Sequence, residues 1–359
     1  MPESPIESLR AESLFAPCNW RALLQGNLHL HEIGAGRVVV SFKDPVVQES
    51  SLEAQTSDAS NERFQIGRFS LRSADISYKG FNLSGVAVTA AQFENSWDIV
   101  GSGGELFIPG IPKLGVTKIE LRESGGVFTL DSSSFRLGSG SVSATGTSAT
   151  PAALNARFQD ILPSELIPGL PAGCLRGLAS GSVQLRLNEP LRGSFSISNA
   201  VLADLPLLKN ISDFLADRSF LEIPFQNFSA DFEFNDGVWH LSNINLASDG
   251  KLAARGSVRI GADGQLSGQL QLGVANRILS ALPGARETVF REEKDDFWWA
   301  PLALGGTVAH PTEDLSRKLT ASIAGGLLIK HGTNAVEAVP ETAVDAAKGV
   351  FDLLSPLIP

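Results

Sequence analysis

Between Phe225 and Val274 the chain repeats one unit, an alternating apolar and polar run closed by Asp-Gly. Phe228, Ala230, Phe232 and Phe234 alternate with Ser229, Asp231 and Glu233. Leu252, Ala254, Gly256, Val258 and Ile260 alternate with Ala253, Arg255, Ser257 and Arg259. Leu266, Gly268, Leu270, Leu272 and Val274 follow the same rule against Ser267, Gln269, Gln271 and Gly273. A period of two puts every second side chain on one face of a strand. Asp236-Gly237, Asp249-Gly250 and Asp263-Gly264 recur at nearly even spacing. Asp-Gly favours the two-residue hairpin, whose two central residues take positive φ. Trp239 and Leu241 share one phase, and Ile244 and Leu246 the other. A bulge near Ser242 and Asn243 reconciles them. The segment therefore predicts a four-strand antiparallel meander with one apolar face.

The rest of the chain reads as weaker versions of this pattern. Strands are expected at 28–30, 38–42, 65–71, 83–88, 106–108, 116–121, 127–130 and 139–147, then around Val183 to Val201, and at Leu302 to Val308. The 35 glycines fit many tight turns. Helical spacing is sparse: 13–25, 151–166 (Leu154, Phe158, Ile161, Leu162), 206–215, 274–282, a helix opened by Pro311, and an amphipathic segment at 342–354. The expected fold is mainly β, an elongated, curved antiparallel sheet with a groove-like face and a few short amphipathic helices. Its expected parts are an N-terminal β-rich region (1–150), a C-terminal module (151–330) and an amphipathic tail (331–359).

The formal net charge of −10 argues against nucleic acid, since a phosphate-binding surface needs an excess of Lys and Arg. It argues equally against docking on anionic membranes by charge alone. Cys18 and Cys174 form neither a metal spacing nor a disulfide framework. The first twenty residues lack a basic, then apolar, signal pattern, and no run reaches the ~18 apolar residues of a spanning helix. The chain is therefore expected to be soluble as it stands, with any anchor lying outside it.

Catalytic and metal chemistry finds little purchase, and no cofactor is expected. His29 and His31 alternate on one strand, but no Cys, Asp or Glu joins them at fixed spacing, so they read as half-exposed strand residues. His310, before Pro311, reads as a turn residue. The run Arg291 to Asp296 offers paired carboxylates suited to acid and base work, yet adjacent carboxylates in a polar run are ordinarily solvated. The Gly-rich pieces at Gly101 and Gly138 lack the Lys and following helix of a phosphate loop. Trp298 and Trp299 are candidates for membrane or partner contact.

The block FSADFEFNDGVWHLSNINLASDGKLAARGSVRIGADGQLSGQLQLGV, followed by PLALGGTVAHPTEDLSRKL, resembles the C-terminal region of AsmA-like proteins. WRALLQGNLHLHEIGAGRVVVSF, from Trp20, resembles the start of that family. The resemblance is best over 152–319 and fainter over 20–147. It implies an envelope protein of bacteria with an outer membrane, located in the periplasm and attached to the inner membrane, with a role in outer-membrane biogenesis. It also implies similarity to bridge-like lipid-transfer proteins, in which a curved sheet forms a hydrophobic groove. The anchor usual in the family is expected to lie outside these residues.

A sheet with one apolar face must cover it or use it. If it is used, the partner is phospholipid or another acyl-chain lipid. The contact candidates are then Phe228, Phe232, Phe234, Leu252, Val258, Ile260, Leu266, Leu270 and Leu272. If helices cover the face, the chain is a structural or assembly scaffold with envelope-protein partners. A carbohydrate-active β-helix enzyme is a third option, and it requires evenly spaced parallel coils with an Asp/Lys/Arg cluster.

Overall fold

A computed structural model describes residues 6–17, 28–30, 32–42, 64–78, 80–109, 111–167, 170–171, 173–186, 189–205, 208–209, 212–213, 217–280 and 284–322. Alternation makes most of these residues strand. In chain order the strands are β1 (Ile6–Glu12), β2 (Leu28–Leu30), β3 (Ile33–Phe42), β4 (Phe64–Ile66), β5 (Arg68–Tyr78), β6 (Phe81–Phe93), β7 (Ser96–Ser102), β8 (Glu105–Ile108), β9 (Ile111–Ser124), β10 (Val127–Leu137) and β11 (Gly140–Thr147). Then come β12 (Ala153–Ile161), β13 (Leu175–Arg186), β14 (Leu191–Ala203), β15 (Glu222–Phe225), β16 (Asn227–Asn235), β17 (Val238–Ala247), β18 (Leu252–Ile260), β19 (Leu266–Ala275), β20 (Glu292–Lys294), β21 (Phe297–Gly306) and β22 (Pro311–Glu313).

Twenty of these strands form one sheet, and β2 and β4 pair separately. The sheet is almost wholly antiparallel, with β3–β5 its parallel ladder among the described residues. From β9 to β14 and from β16 to β19 each strand pairs with the next. These are antiparallel hairpins, not the parallel coils of a β-helix. The pairing runs unbroken across residue 150, because β11 and β12 pair from Ser141↔Gln159 to Thr147↔Ala153. The expected division at 150 is therefore a hairpin inside one sheet. One hydrophobic cluster likewise extends from Val86 to Leu319.

The two long edges of the sheet differ. One carries tight turns such as Gly125-Gly126 and Asp236-Gly237, in which both residues take positive φ. At Asp263-Gly264 on this edge, and at Asp249-Gly250 on the opposite one, only the glycine does, so these expected two-residue turns are longer loops. The other edge carries α1 (Pro163–Leu166), a 3-10 turn (Arg218–Phe220), α2 (Asn276–Leu279), α3 (Ala285–Thr288) and the helical residues 315–322. The Glu165 carboxylate fastens α1, accepting from the Leu162 and Ser139 N–H groups.

Several helical expectations fail. Residues 153–161 are β12, because Leu154, Ala156 and Phe158 alternate and a left-handed Asp160 then resets the phase to Ile161. A bulge thus mimics helical spacing. Pro311 opens β22, and the helix starts only at 315. Residues 13–17 are not helical, and Phe15 instead bridges to Gly34. Of 206–215, only 208–209 and 212–213 are described, as helix. Trp20, His31 and the tail segment 342–354 lie outside the described residues.

Candidate functional site

Residues directly opposite in a ladder share a face. Following the register from strand to strand therefore draws rows across the whole sheet. All nine lipid-contact candidates fall on one face. Phe234 stands opposite Trp239, Trp239 opposite Ile260, and Ile260 opposite Leu266. Phe232 continues through Leu241 and Val258 to Gly268. Leu270 lies beside Gly256, and Phe228 reaches Leu272 through Leu246 and Ala254. Leu252 pairs with Val274 at the helical edge. The bulge expected near Asn243 is present, with Asn243 left-handed, and it returns Ile244 and Leu246 to this face.

The rows do not stop at the meander. The row nearest the tight-turn edge runs Ile33, Phe69, Ala90, Ile99, Leu121, Leu130, Gly146, Leu154, Leu185, Leu191, Phe234, Trp239, Ile260 and Leu266. It is apolar or glycine throughout. Ala90 is buried and Leu185 exposed, and the others are half-buried. At ~4.8 Å between strands the stripe is about 60 Å long. The sequence places its last four positions on one face and expects strands through several of the earlier ones without joining them. Many of those strands are interrupted by bulges, which hide the alternation.

Toward the helical edge the same face closes. Leu252 and Val274 are each 2% exposed beneath the helices. Ile223, Leu315 and Ala285 are fully buried. Phe232, Val258 and Leu272 are buried, whereas Phe228, Phe234, Ile260, Leu266 and Leu270 are half-buried. The face is therefore neither open nor covered along its length. From β12 onward helices close one side, and tight turns leave the other accessible. Aromatic contacts stiffen the accessible side: Trp239 lies 4.6 Å from Phe234 and 5.7 Å from Phe232, centroid to centroid. Gly193 lies under the Phe232 ring, where a Cβ would fall 2.4 Å from Cζ. The missing side chain is what lets the ring lie down.

The two tryptophans split between the faces. Trp298 belongs to the apolar face, opposite Val274, with the Arg286 guanidinium 4.0 Å above its ring. Trp299 is buried on the other face. Gly273 makes room for it, its Nε1 donates to the Lys294 carbonyl, and Arg255 stacks 4.2 Å above it. Both rings are engaged within the chain. The carboxylates of Glu292 and Glu293 are exposed on β20, and Asp295-Asp296 is the turn that follows. His29 lies in β2.

The polar face has its own relief. Ser180, Ser182, Ser194, Ser196 and Ser229 floor a hollow of about 590 Å³ bordered by Arg157, Asp231 and Asn243, and the Asn243 amide donates to Asp231 at 2.8 Å. Among the described residues no group of three or more His, Cys, Asp or Glu is placed to hold a metal, and no helix is long and apolar enough to cross a membrane. Comparisons with family models, curated proteins and solved structures return no match.

Proposed function

We propose that the chain is a non-enzymatic lipid-binding protein of the AsmA-like kind. Its apolar stripe holds or conducts the acyl chains of phospholipid between the membranes of a bacterial envelope. The observation that carries this reading is the continuity of the half-buried stripe, about 60 Å of apolar side chains kept at one edge, with helices closing the opposite edge over its second half, from β12 onward. An ordinary core closes on both sides. A stripe left accessible in every strand it crosses but β6, where Ala90 is buried, offers hydrocarbon a path in place of water.

The action is passive. Aliphatic and aromatic side chains displace water from the tails, worth about 0.8 kcal/mol per buried methylene. Head groups stay in water beyond the tight turns. The periplasm, inner-membrane attachment and envelope-protein partners follow from the resemblance. A scaffold with a closed core is the second reading, and the fully buried Ile223 of β15 and Leu315 of the last helix favour it. Crosslinking that recovers only proteins would support the scaffold.

Adjacent residues of β19 separate the two. Leu266→Glu puts a charge on the stripe, and Ser267→Glu puts the same charge on the polar face. Extraction of fluorescent phospholipid from vesicles is expected to fall about tenfold in the first and little in the second, because an ionised group in an apolar contact is strongly penalised. Equal behaviour of the two variants contradicts the proposal.

A further inference from the structure

Directly behind the stripe runs a second row: Ala35, Leu71, Val88, Gly101, Ile119, Ser133, Ala144, Ala156, Val183, Gly193, Phe232, Leu241, Val258, Gly268 and Leu304. Every member is apolar or glycine except Ser133. Its side chain is 2% exposed, and its Oγ has no hydrogen-bond partner. A hydroxyl buried without a partner is unfavourable, and native structures keep few of them. The other buried side-chain atom without a partner among the described residues, Trp298 Nε1, lies at the sealed edge beneath Arg286. Ser133 instead stands one row in from the accessible stripe, behind Leu121 and Leu130.

Its placement depends on distortions of the strand. β10 passes through Asp131-Ser132-Ser133-Ser134, and regular alternation from Leu130 would turn Ser132 and Ser134 inward. A register break between Leu130 and Ser132 against β9, matched by one between Leu130 and Ser133 against β11, changes the phase. Ser133 then enters the apolar row, and Ser132 and Ser134 face outward, opposite Glu120 and Lys118. Bulges commonly re-aim a side chain beside a functional site.

We propose that Ser133 Oγ–H donates to an ester carbonyl of the bound lipid, so that the stripe takes acyl esters in preference to ether-linked or plain hydrocarbon chains. This rests on the lipid reading above. A hydrocarbon tail leaves the hydroxyl unpaired. The ester carbonyl that heads an acyl chain satisfies it while the chain continues along the stripe. The hydroxyl also fixes a register, holding the ester beside β10 and directing the tail toward β9 or β11.

The test compares diacyl and dialkyl phosphatidylcholine of equal chain length, offered in vesicles to the delipidated full chain and to Ser133→Ala. Wild type is expected to take up the ester lipid about three- to tenfold better, the range of one hydrogen bond. Ser133→Ala is expected to bind both lipids equally. Without lipid it is expected to be at least as heat-stable as wild type, since it removes an unpaired hydroxyl. Binding of both lipids without preference overturns the inference and leaves the lipid reading standing. A marked loss of lipid-free stability in Ser133→Ala also overturns it, by revealing a partner within the protein. Uptake of neither lipid overturns both.

Discussion

Asp75 joins three strands through one carboxylate. Oδ1 accepts from the Gly85 N–H of β6 at 2.8 Å, and Oδ2 accepts from Arg37 of β3 at 2.8 and 2.6 Å. It thereby ties the parallel pair β3–β5 to the antiparallel ladder. The Gly85 hydrogen bond, then the Arg37 guanidinium, hold its pKa below the ordinary carboxylate value. A depressed folded pKa means stability that is present at neutral pH and lost as pH falls through that lowered value. Wild type is therefore expected to be more stable than Asp75→Asn at pH 7, with the difference closing below about pH 4. Denaturant titrations of both proteins across that range check this. Residue by residue, legibility follows periodicity. Phe232 and Leu270 declare their face by alternating with polar neighbours, and the structure puts them on one face. Ser133 does not, because three consecutive serines carry no sign of which one turns inward. The Arg37–Asp75 pair spans 38 positions, and nothing local links its two ends.

At the level of elements, turn chemistry carries most of the information. Asp236-Gly237 adopts the left-handed pair expected of it, with φ of 49° and 79°. Asp295-Asp296 adopts the same arrangement at 55° and 64° between β20 and β21, without a glycine. A left-handed non-glycine residue costs about 1 kcal/mol or more. Replacing the pair by Asn-Gly is expected to raise stability by about 0.5–2 kcal/mol, read as a higher midpoint in thermal unfolding. A lower midpoint would mean that the two carboxylates have a role the hairpin geometry does not show. Two of the misread elements, β12 and β10, share one cause. In β12 the bulge at Asp160 turns 154, 156, 158 into 154, 158, 161 when only the larger side chains are counted. In β10 the polar run after Leu130 hides the second half of the strand. Bulges are set by pairing on both sides, which periodicity along one strand does not encode.

At the scale of the molecule, twenty of the described strands build one sheet in which β11 and β12 are ordinary neighbours. Composition shifts near residue 150 because serine and threonine give way to proline there, but the core does not divide. Ala144 and Phe158 are buried on either side of the proposed cut. A fragment ending at 150 would leave β11 as a free edge with an apolar face. Separate expression of 1–150 and 151–359 is expected to give aggregates or poorly structured protein, and limited proteolysis of the full chain is expected to spare 148–152. Two well-folded fragments would restore the two-domain division. The same continuity makes the stripe a property of the whole sheet, so lipid binding is the question on which the account turns. Delipidated wild-type chain, incubated with phospholipid vesicles, re-isolated and weighed by native mass spectrometry, measures this directly. The expected result is a series of masses raised by one or more whole phospholipids. A spectrum showing only the mass of the bare chain, at lipid concentrations that saturate a known lipid carrier, would contradict it.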